Sequence, residues 1–175
     1  ACGGLFRLAT APPLSAPTKA AFDALSEADS VVVDPHKHGL QPYGCGAVLF
    51  RDPAVGRFYA HDSPYTYFTS DDLHLGEISL ECSRAGAAAG ALWCTLQAVP
   101  LAEDEGLGPV VSACLSAARA WTARLREEKA LTVYVKPETD IATFFPVPSA
   151  HHTEAVSARS QRVFDRTMQQ DTPVY

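Results

Sequence analysis

Several features that would place this chain in a special class are missing from its sequence. No apolar run approaches the about 20 residues that a membrane span needs. The first residues lack the basic and apolar regions of a secretory signal peptide. The net charge of −6 provides no excess of cations for nucleic acid or an anionic membrane. The sequence therefore predicts neither a membrane nor a nucleic-acid partner.

The cysteines and histidines do not form the patterns of a disulfide framework or a metal site. The five cysteines are odd in number and contain no Cys-X-X-Cys pair. Free thiols are typical of a reducing compartment, so we expect a cytoplasmic protein. The adjacent His151 and His152 would point in different directions on a helix or strand, so we expect surface or capping positions and no metal. Hydrophobic residues at 47% and charged residues at 19% are typical of a globular chain.

Two apolar runs near the N-terminus predict a pair of strands. The β-branched run at residues 31–33 is typical of a buried strand. It should stop at Asp34 and Pro35, because proline has no N–H to continue a ladder. Residues 47–50 form the second run, and the connection between the two runs is rich in glycine.

This connection begins with His36, Lys37 and His38. A lysine at the tip of a buried strand, between two histidines, has surroundings that a solvated surface lysine rarely needs. Nearby cations and partial burial lower the pKa of a lysine and make its amine nucleophilic. The pattern indicates a lysine that forms a Schiff base, and the alternative is an ordinary lysine in a surface loop.

The segment DPHKHGLQPYGCGAVLFRD, residues 34–52, resembles the cofactor-lysine segment of the group II amino-acid decarboxylases, which depend on pyridoxal phosphate (PLP). This family includes the glutamate and aromatic-amino-acid decarboxylases. The matched core is the triplet Pro-His-Lys followed by Gly39, Pro42, Gly44, Cys45 and Gly46. The resemblance implies that Lys37 forms the Schiff base with PLP and that His36 contacts the cofactor phosphate.

The first residues, ACGGLFRL, resemble a second segment of the family, Asp-Ala-Ala-X-Gly-Gly. Ala1 matches the second alanine, which packs on the PLP ring. The aspartate that pairs with the pyridine nitrogen would lie two residues before Ala1. The resemblance therefore predicts an interior to C-terminal piece of a longer protein, which we expect to be weak or inactive alone.

Residues 58–72 are rich in aromatic side chains without a helical period, and we expect a long loop there. In the family, a mobile loop in this region carries a tyrosine that helps to protonate the carbanion left by the loss of CO₂. Tyr65 and Tyr67 are the candidates for that role. Packing at a subunit interface is the alternative for each of them.

Helical periodicity predicts four helices. They are expected at residues 18–25 with Ser15 or Thr18 as the cap, from Ser83 to about residue 99, at residues 110–129 and at residues 153–170. The third has an apolar stripe that predicts a buried face formed by Val111, Leu115, Ala118, Trp121 or Thr122, and Leu125. We expect Trp121 to belong to the core. Residues 131–135 and 141–145 predict an antiparallel strand pair.

Residues 100–109 are polar and marked by glycine and proline, and they form the best candidate for a domain boundary. The resemblance implies an α/β protein of PLP-dependent transferase fold type I. Residues 1–100 would be the C-terminal part of its large PLP-binding domain, and residues 101–175 part of its small α+β domain. The family forms dimers with active sites at the subunit interface, so a homodimer is implied for the full-length protein.

The resemblance implies PLP-dependent decarboxylation of an amino acid through Lys37, with the substrate left open. Two alternatives remain. One is another PLP enzyme of the same fold, an aminotransferase or a C–C lyase, which release of CO₂ with retention of the amine would distinguish. The other is a truncated PLP-fold segment without activity of its own.

Overall fold

The structure is a computed structural model that describes residues 2–60, 86–148, 150 and 152–169. The two apolar runs near the N-terminus form strands β1 (Ser30–Val33) and β2 (Ala47–Phe50), which pair antiparallel with Val31 opposite Leu49. The predicted strand pair is confirmed, and β1 ends directly before Asp34. The 13-residue connection between the strands carries the predicted lysine.

The prediction of a buried β1 is wrong for one of its faces. Successive side chains of a strand point to opposite faces of the sheet. Val33 and Ala47 line a cavity of about 240 Å³ together with the helix at residues 87–98, and Leu49 also lines it although it is 59% exposed. Val32 and Val48 point the other way and are more than half exposed. Among the described residues no layer covers that second face, and the apolar run alone could not indicate this.

The N-terminal segment folds into short helical elements. Residues Cys2–Leu8 form a 3-10 helix, and helix α1 extends over Ala16–Asp23. The Ser15 hydroxyl accepts a hydrogen bond from the Thr18 N–H and caps α1, so Ser15 is the cap and the helix begins two residues earlier than predicted. A 3-10 helix, Ala24–Glu27, leads from α1 towards β1.

The core of the described chain lies between the first 3-10 helix and a long central helix. Helix α2 extends over Ala87–Ala98, and helix α3 extends over Leu107–Glu127, three residues before its predicted start. The buried cluster consists of Phe6, Ala9, Leu107, Val111 and Leu115. The core thus joins the segment around Phe6 to α3, across residues 100–109. The division into domains at residue 100 stays a prediction.

The stripe on α3 is confirmed with one correction. Its buried residues include Val111, Leu115, Ala118, Thr122 and Leu125. Trp121 is 52% exposed, so the prediction that it belongs to the core is wrong. Alternating steps of four and three residues keep side chains on one face of a helix, and this rhythm selects Thr122. Trp121 lies about 100° away around the helix axis.

The C-terminal part contains the second predicted strand pair. Strands β3 (Leu131–Val133) and β4 (Phe144–Pro146) are antiparallel with Thr132 opposite Phe145, and both are shorter than predicted. Helix α4 follows at Thr153–Met168. His152 caps it by accepting a hydrogen bond from the Ala155 N–H, so its predicted capping position is confirmed. None of the described helices has the length and apolar character to span a membrane.

Candidate functional site

The predicted lysine lies in a compact turn that follows β1. The Lys37 N–H donates to the Asp34 carbonyl over 3.0 Å, and the Gln41 N–H donates to the Pro35 carbonyl over 3.2 Å. A side chain on Gly39 would bring its Cβ within 2.7 Å of the Pro35 Cα, which no real contact tolerates. Glycine is therefore required at residue 39, because the chain folds back on Pro35 there.

Gln41 fastens this turn to helix α2. Its side chain is almost fully buried, and its Nε2 donates to the Thr95 hydroxyl over 2.7 Å and to the Leu40 carbonyl over 3.1 Å. Leu40 has a φ of +59°, a conformation that is uncommon outside glycine and costs on the order of 1 kcal/mol. These hydrogen bonds hold the turn in a conformation that Leu40 would not adopt by preference.

The Lys37 side chain is half exposed, at 53%, and its Nζ donates to Asp34 Oδ2 over 2.9 Å. The sequence interpretation expected partial burial and neighbouring cations around this amine. The structure adds a carboxylate three positions earlier, within hydrogen-bond distance. An exposed primary amine is accessible to an aldehyde in solution, and the Asp34 carboxylate holds this amine by a hydrogen bond.

The contact with Lys37 changes the pKa of the Asp34 carboxyl. The hydrogen bond from Lys37 is the largest effect and lowers the pKa of the Asp34 carboxyl below its ordinary value of 3.8. Desolvation, the second-largest effect, opposes this shift, and the charges of Lys37 and His36 lower the pKa by smaller amounts. Because the pKa is lower in the folded state, Asp34 stabilises the fold above the unfolded pKa. That contribution is lost as the pH falls through the lower folded value.

We expect Lys37→Ala to raise the pKa of Asp34 back towards 3.8, because the largest cause of the shift is removed. A carboxyl-carbon NMR titration of Asp34 between about pH 2 and 6 would measure this change. Lys136→Ala is the matched control and should leave the Asp34 titration unchanged. An Asp34 pKa that is the same with and without the Lys37 amine would contradict the contact.

His36 is fixed by the far end of the connection. Its Nδ1 lies 2.9 Å from the Cys45 carbonyl oxygen, which can only accept, so Nδ1 carries the proton. The ring also stacks on Tyr43 with centroids 5.2 Å apart. Cys45 itself is buried, with its Sγ 3.9 Å from the Ala88 carbonyl at the start of α2. This arrangement leaves His36 Nε2 as the ring atom for another partner.

The structure brings His36 and Lys37 together in one turn, as predicted. Ala1, Tyr65 and Tyr67 lie outside the described residues, so their proposed roles stay predictions. Sequence reasoning missed Asp34 as a partner of Lys37, although its spacing of three residues is a usable signal. It also missed Asp140, whose Oδ2 lies 2.8 Å from His38 Nε2 and which is 102 positions away along the chain. No local pattern could have indicated that pairing.

The curated proteins that are similar to this chain include amino-acid decarboxylases. No family model matches the chain. An L-tyrosine decarboxylase of Enterococcus faecium is 31% identical over 166 residues, which are 88% of this chain and 27% of that enzyme. An L-2,4-diaminobutyrate decarboxylase of Acinetobacter baumannii is 28% identical over 156 residues, which are 87% of this chain and 30% of that enzyme. The chain thus spans less than a third of the length of these relatives.

Solved structures with a similar fold include mouse CSAD and a tryptophan decarboxylase. Mouse CSAD in apo form superposes with a TM-score of 0.64 at 22% identity, covering 93% of this chain and 32% of that one. Catharanthus roseus tryptophan decarboxylase, in complex with L-tryptophan, superposes with a TM-score of 0.65 at 16% identity, covering 87% and 32%. The α/β architecture of PLP-dependent transferase fold type I is thereby confirmed. In sequence and in fold, the chain is a relative of the group II PLP-dependent amino-acid decarboxylases, the family that its lysine segment resembles.

Proposed function

We propose that this chain carries the cofactor lysine of a PLP-dependent amino-acid decarboxylase, and that Lys37 forms the Schiff base. The observation that carries the proposal is the placement of the Lys37 amine. It is half exposed, on a turn held by hydrogen bonds of the buried Gln41 side chain, directly after the first strand of a pair. The named relatives are decarboxylases, which are carboxy-lyases.

The described donors fit the cofactor. Lys37 offers a primary amine to the aldehyde, and Asp34 can hold the ammonium form of that amine whenever it is not bonded to the cofactor. His36 keeps its Nδ1 on the Cys45 carbonyl, which leaves Nε2 to donate to an anion such as a phosphate when the ring is protonated. We propose these roles for Lys37 and His36, and ring packing for Ala1.

Bound PLP would supply an electron sink for the bond that breaks at the substrate Cα. Residues of the site would have to hold the substrate carboxylate in the orientation from which CO₂ can leave. A nearby acid must then return a proton to the carbon. Tyr65 and Tyr67 remain the proposed candidates for this acid.

The finer assignments follow from the same proposal. The substrate would be an amino acid, and the complete protein that carries this chain would act as a cytoplasmic homodimer. Neither nucleic acid nor a membrane is proposed as a partner. Residues 1–100 would belong to the large PLP-binding domain and residues 101–175 to the small domain.

The test is reductive trapping with PLP. The chain is incubated with PLP, reduced with borohydride and digested, and the modified lysines are found by mass spectrometry. We expect Lys37 to carry at least about tenfold more adduct than Lys19, Lys129 or Lys136, because a positioned amine reacts at a higher effective concentration. Lys37→Ala should remove the selective adduct, and Lys136→Ala should retain it.

Adduct scattered evenly over the four lysines would overturn the proposed PLP site. An assay of the complete protein then separates decarboxylation from the other reactions of this fold. Release of CO₂ with retention of the amine supports decarboxylation. An amine that is transferred instead identifies an aminotransferase.

A further inference from the structure

The residue that follows Lys37 is held by a contact from a distant part of the chain. His38 Nε2 lies 2.8 Å from Asp140 Oδ2, in the connection between β3 and β4. Both side chains are less than a third exposed, at 23% for His38 and 31% for Asp140. A pair with this distance and partial burial is less screened by solvent than an ion pair between fully exposed side chains.

The His38 ring also contacts the core. The ring meets Phe6 in an edge-to-face arrangement with centroids 5.1 Å apart. Phe6 is completely buried and belongs to the cluster that contains Val111 and Leu115 of α3. His38 therefore contacts both the core, through Phe6, and Asp140.

The turn transmits this constraint to Lys37. Lys37 and His38 are adjacent, so their Cα atoms are about 3.8 Å apart, and the hydrogen bonds made by the Lys37 and Gln41 N–H groups flank His38 in the turn. At its far end the turn is fastened by Gln41 to Thr95. The His38 side chain holds the turn at its near end, at a residue that precedes Gln41 in the sequence. A His38 side chain held by Phe6 and Asp140 therefore restricts the turn at the residue next to Lys37.

We propose that His38 and Asp140 form a positioning pair that fixes the orientation of Lys37 for reaction with the PLP aldehyde. This inference rests on the proposed function of Lys37. It assigns a role to Asp140, which is far from Lys37 in sequence, and it connects the lysine turn to the C-terminal strand pair. The pair acts through the backbone of the turn and does not itself contact the reacting atoms.

The test compares Asp140→Ala with Asp140→Asn in the chain. Amide hydrogen exchange at Lys37 and Gln41, whose N–H groups are bonded within the turn, reports its opening. Asp140→Ala should speed this exchange about tenfold, the size expected from loss of a hydrogen bond to a carboxylate. Asp140→Asn keeps an acceptor oxygen for His38 and should stay within about threefold of the unmodified chain.

The same variants are then trapped with PLP and borohydride. Asp140→Ala should lower the ratio of adduct at Lys37 to adduct at Lys136 by about tenfold, and Asp140→Asn should restore most of it. Asp104→Ala, at an exposed aspartate before α3, is the matched control and should change neither reading. Exchange in α3 should stay constant throughout, which separates positioning from general loss of stability.

The outcomes distinguish the two claims. Unchanged exchange at Lys37 and Gln41 in Asp140→Ala would overturn the positioning pair. Faster exchange with an unchanged Lys37 ratio would also overturn it, because the contact would then be structural only. Absence of selective Lys37 adduct in the unmodified chain would instead overturn the proposed function itself, and the inference with it.

Discussion

Replacing Lys37 with alanine is expected to lower amino-acid decarboxylation by the complete protein that carries this chain on the order of 10³-fold or more. The proposed reaction needs a primary amine at this position to hold PLP covalently and to release it to the substrate. Alanine also leaves Asp34 without its described partner. The measurement is the rate of CO₂ release from L-tyrosine and from other amino acids, at saturating PLP.

Lys37→Arg separates the amine from its charge. Arginine preserves a cation within reach of Asp34, but its guanidinium stays protonated and does not form the Schiff base. We expect Lys37→Arg to be as inactive as Lys37→Ala, whereas Lys136→Ala should retain full activity. A Lys37→Arg protein that decarboxylates at a normal rate would show that Lys37 contributes only a positive charge.

The second large effect is expected in the core. Phe6→Ala should lower the free energy of unfolding by about 3–5 kcal/mol, because Phe6 is completely buried and its removal leaves a cavity against Val111 and Leu115. The total stability of a domain is only about 5–15 kcal/mol, so this change is a large part of it. Urea denaturation followed by circular dichroism would measure the difference.

The control for this effect is a phenylalanine whose side chain lies outside the buried core. Phe164 on α4 is 57% exposed, and Phe164→Ala should change the free energy of unfolding by less than about 1 kcal/mol. If Phe6→Ala does not fold, Phe6→Leu keeps most of the volume and should cost about 1–1.5 kcal/mol. Equal effects at Phe6 and Phe164 would contradict the described core.

Phe6 also links stability to the site. Its ring meets the His38 ring edge to face, so Phe6→Ala removes that contact of the His38 side chain. Val111→Ala is a useful comparison. Val111 lies on α3 and is nearly as buried as Phe6 in the same core cluster, whereas the ring contact with His38 is made by Phe6. A larger loss of selective Lys37 adduct in Phe6→Ala, at matched stability, would reflect the contact with His38.

The amino-acid sequence by itself determined the features that depend on neighbouring residues. The end of β1 before Pro35 and the pairing of two apolar runs follow from backbone chemistry over a few positions. The sequence narrowed the cap of α1 to Ser15 or Thr18, and the structure identifies Ser15. The stripe on α3 follows from the 3.6-residue period of a helix. The resemblance to the family and the choice of Lys37 were inferred from residues 34–52, because many positions of this short segment match the family pattern.

Only the tertiary structure decided which faces are covered and which distant groups meet. The prediction that Trp121 belongs to the core is wrong, and the structure shows that Thr122, which the spacing of the stripe favours, is the buried residue while Trp121 is 52% exposed. The sequence could not indicate that Val32 is exposed while Val33 lines a cavity. The meeting of Asp140 with His38 depends on where β3 and β4 lie relative to the lysine turn. Such pairings arise from the packing of whole elements, and no sequence spacing records them.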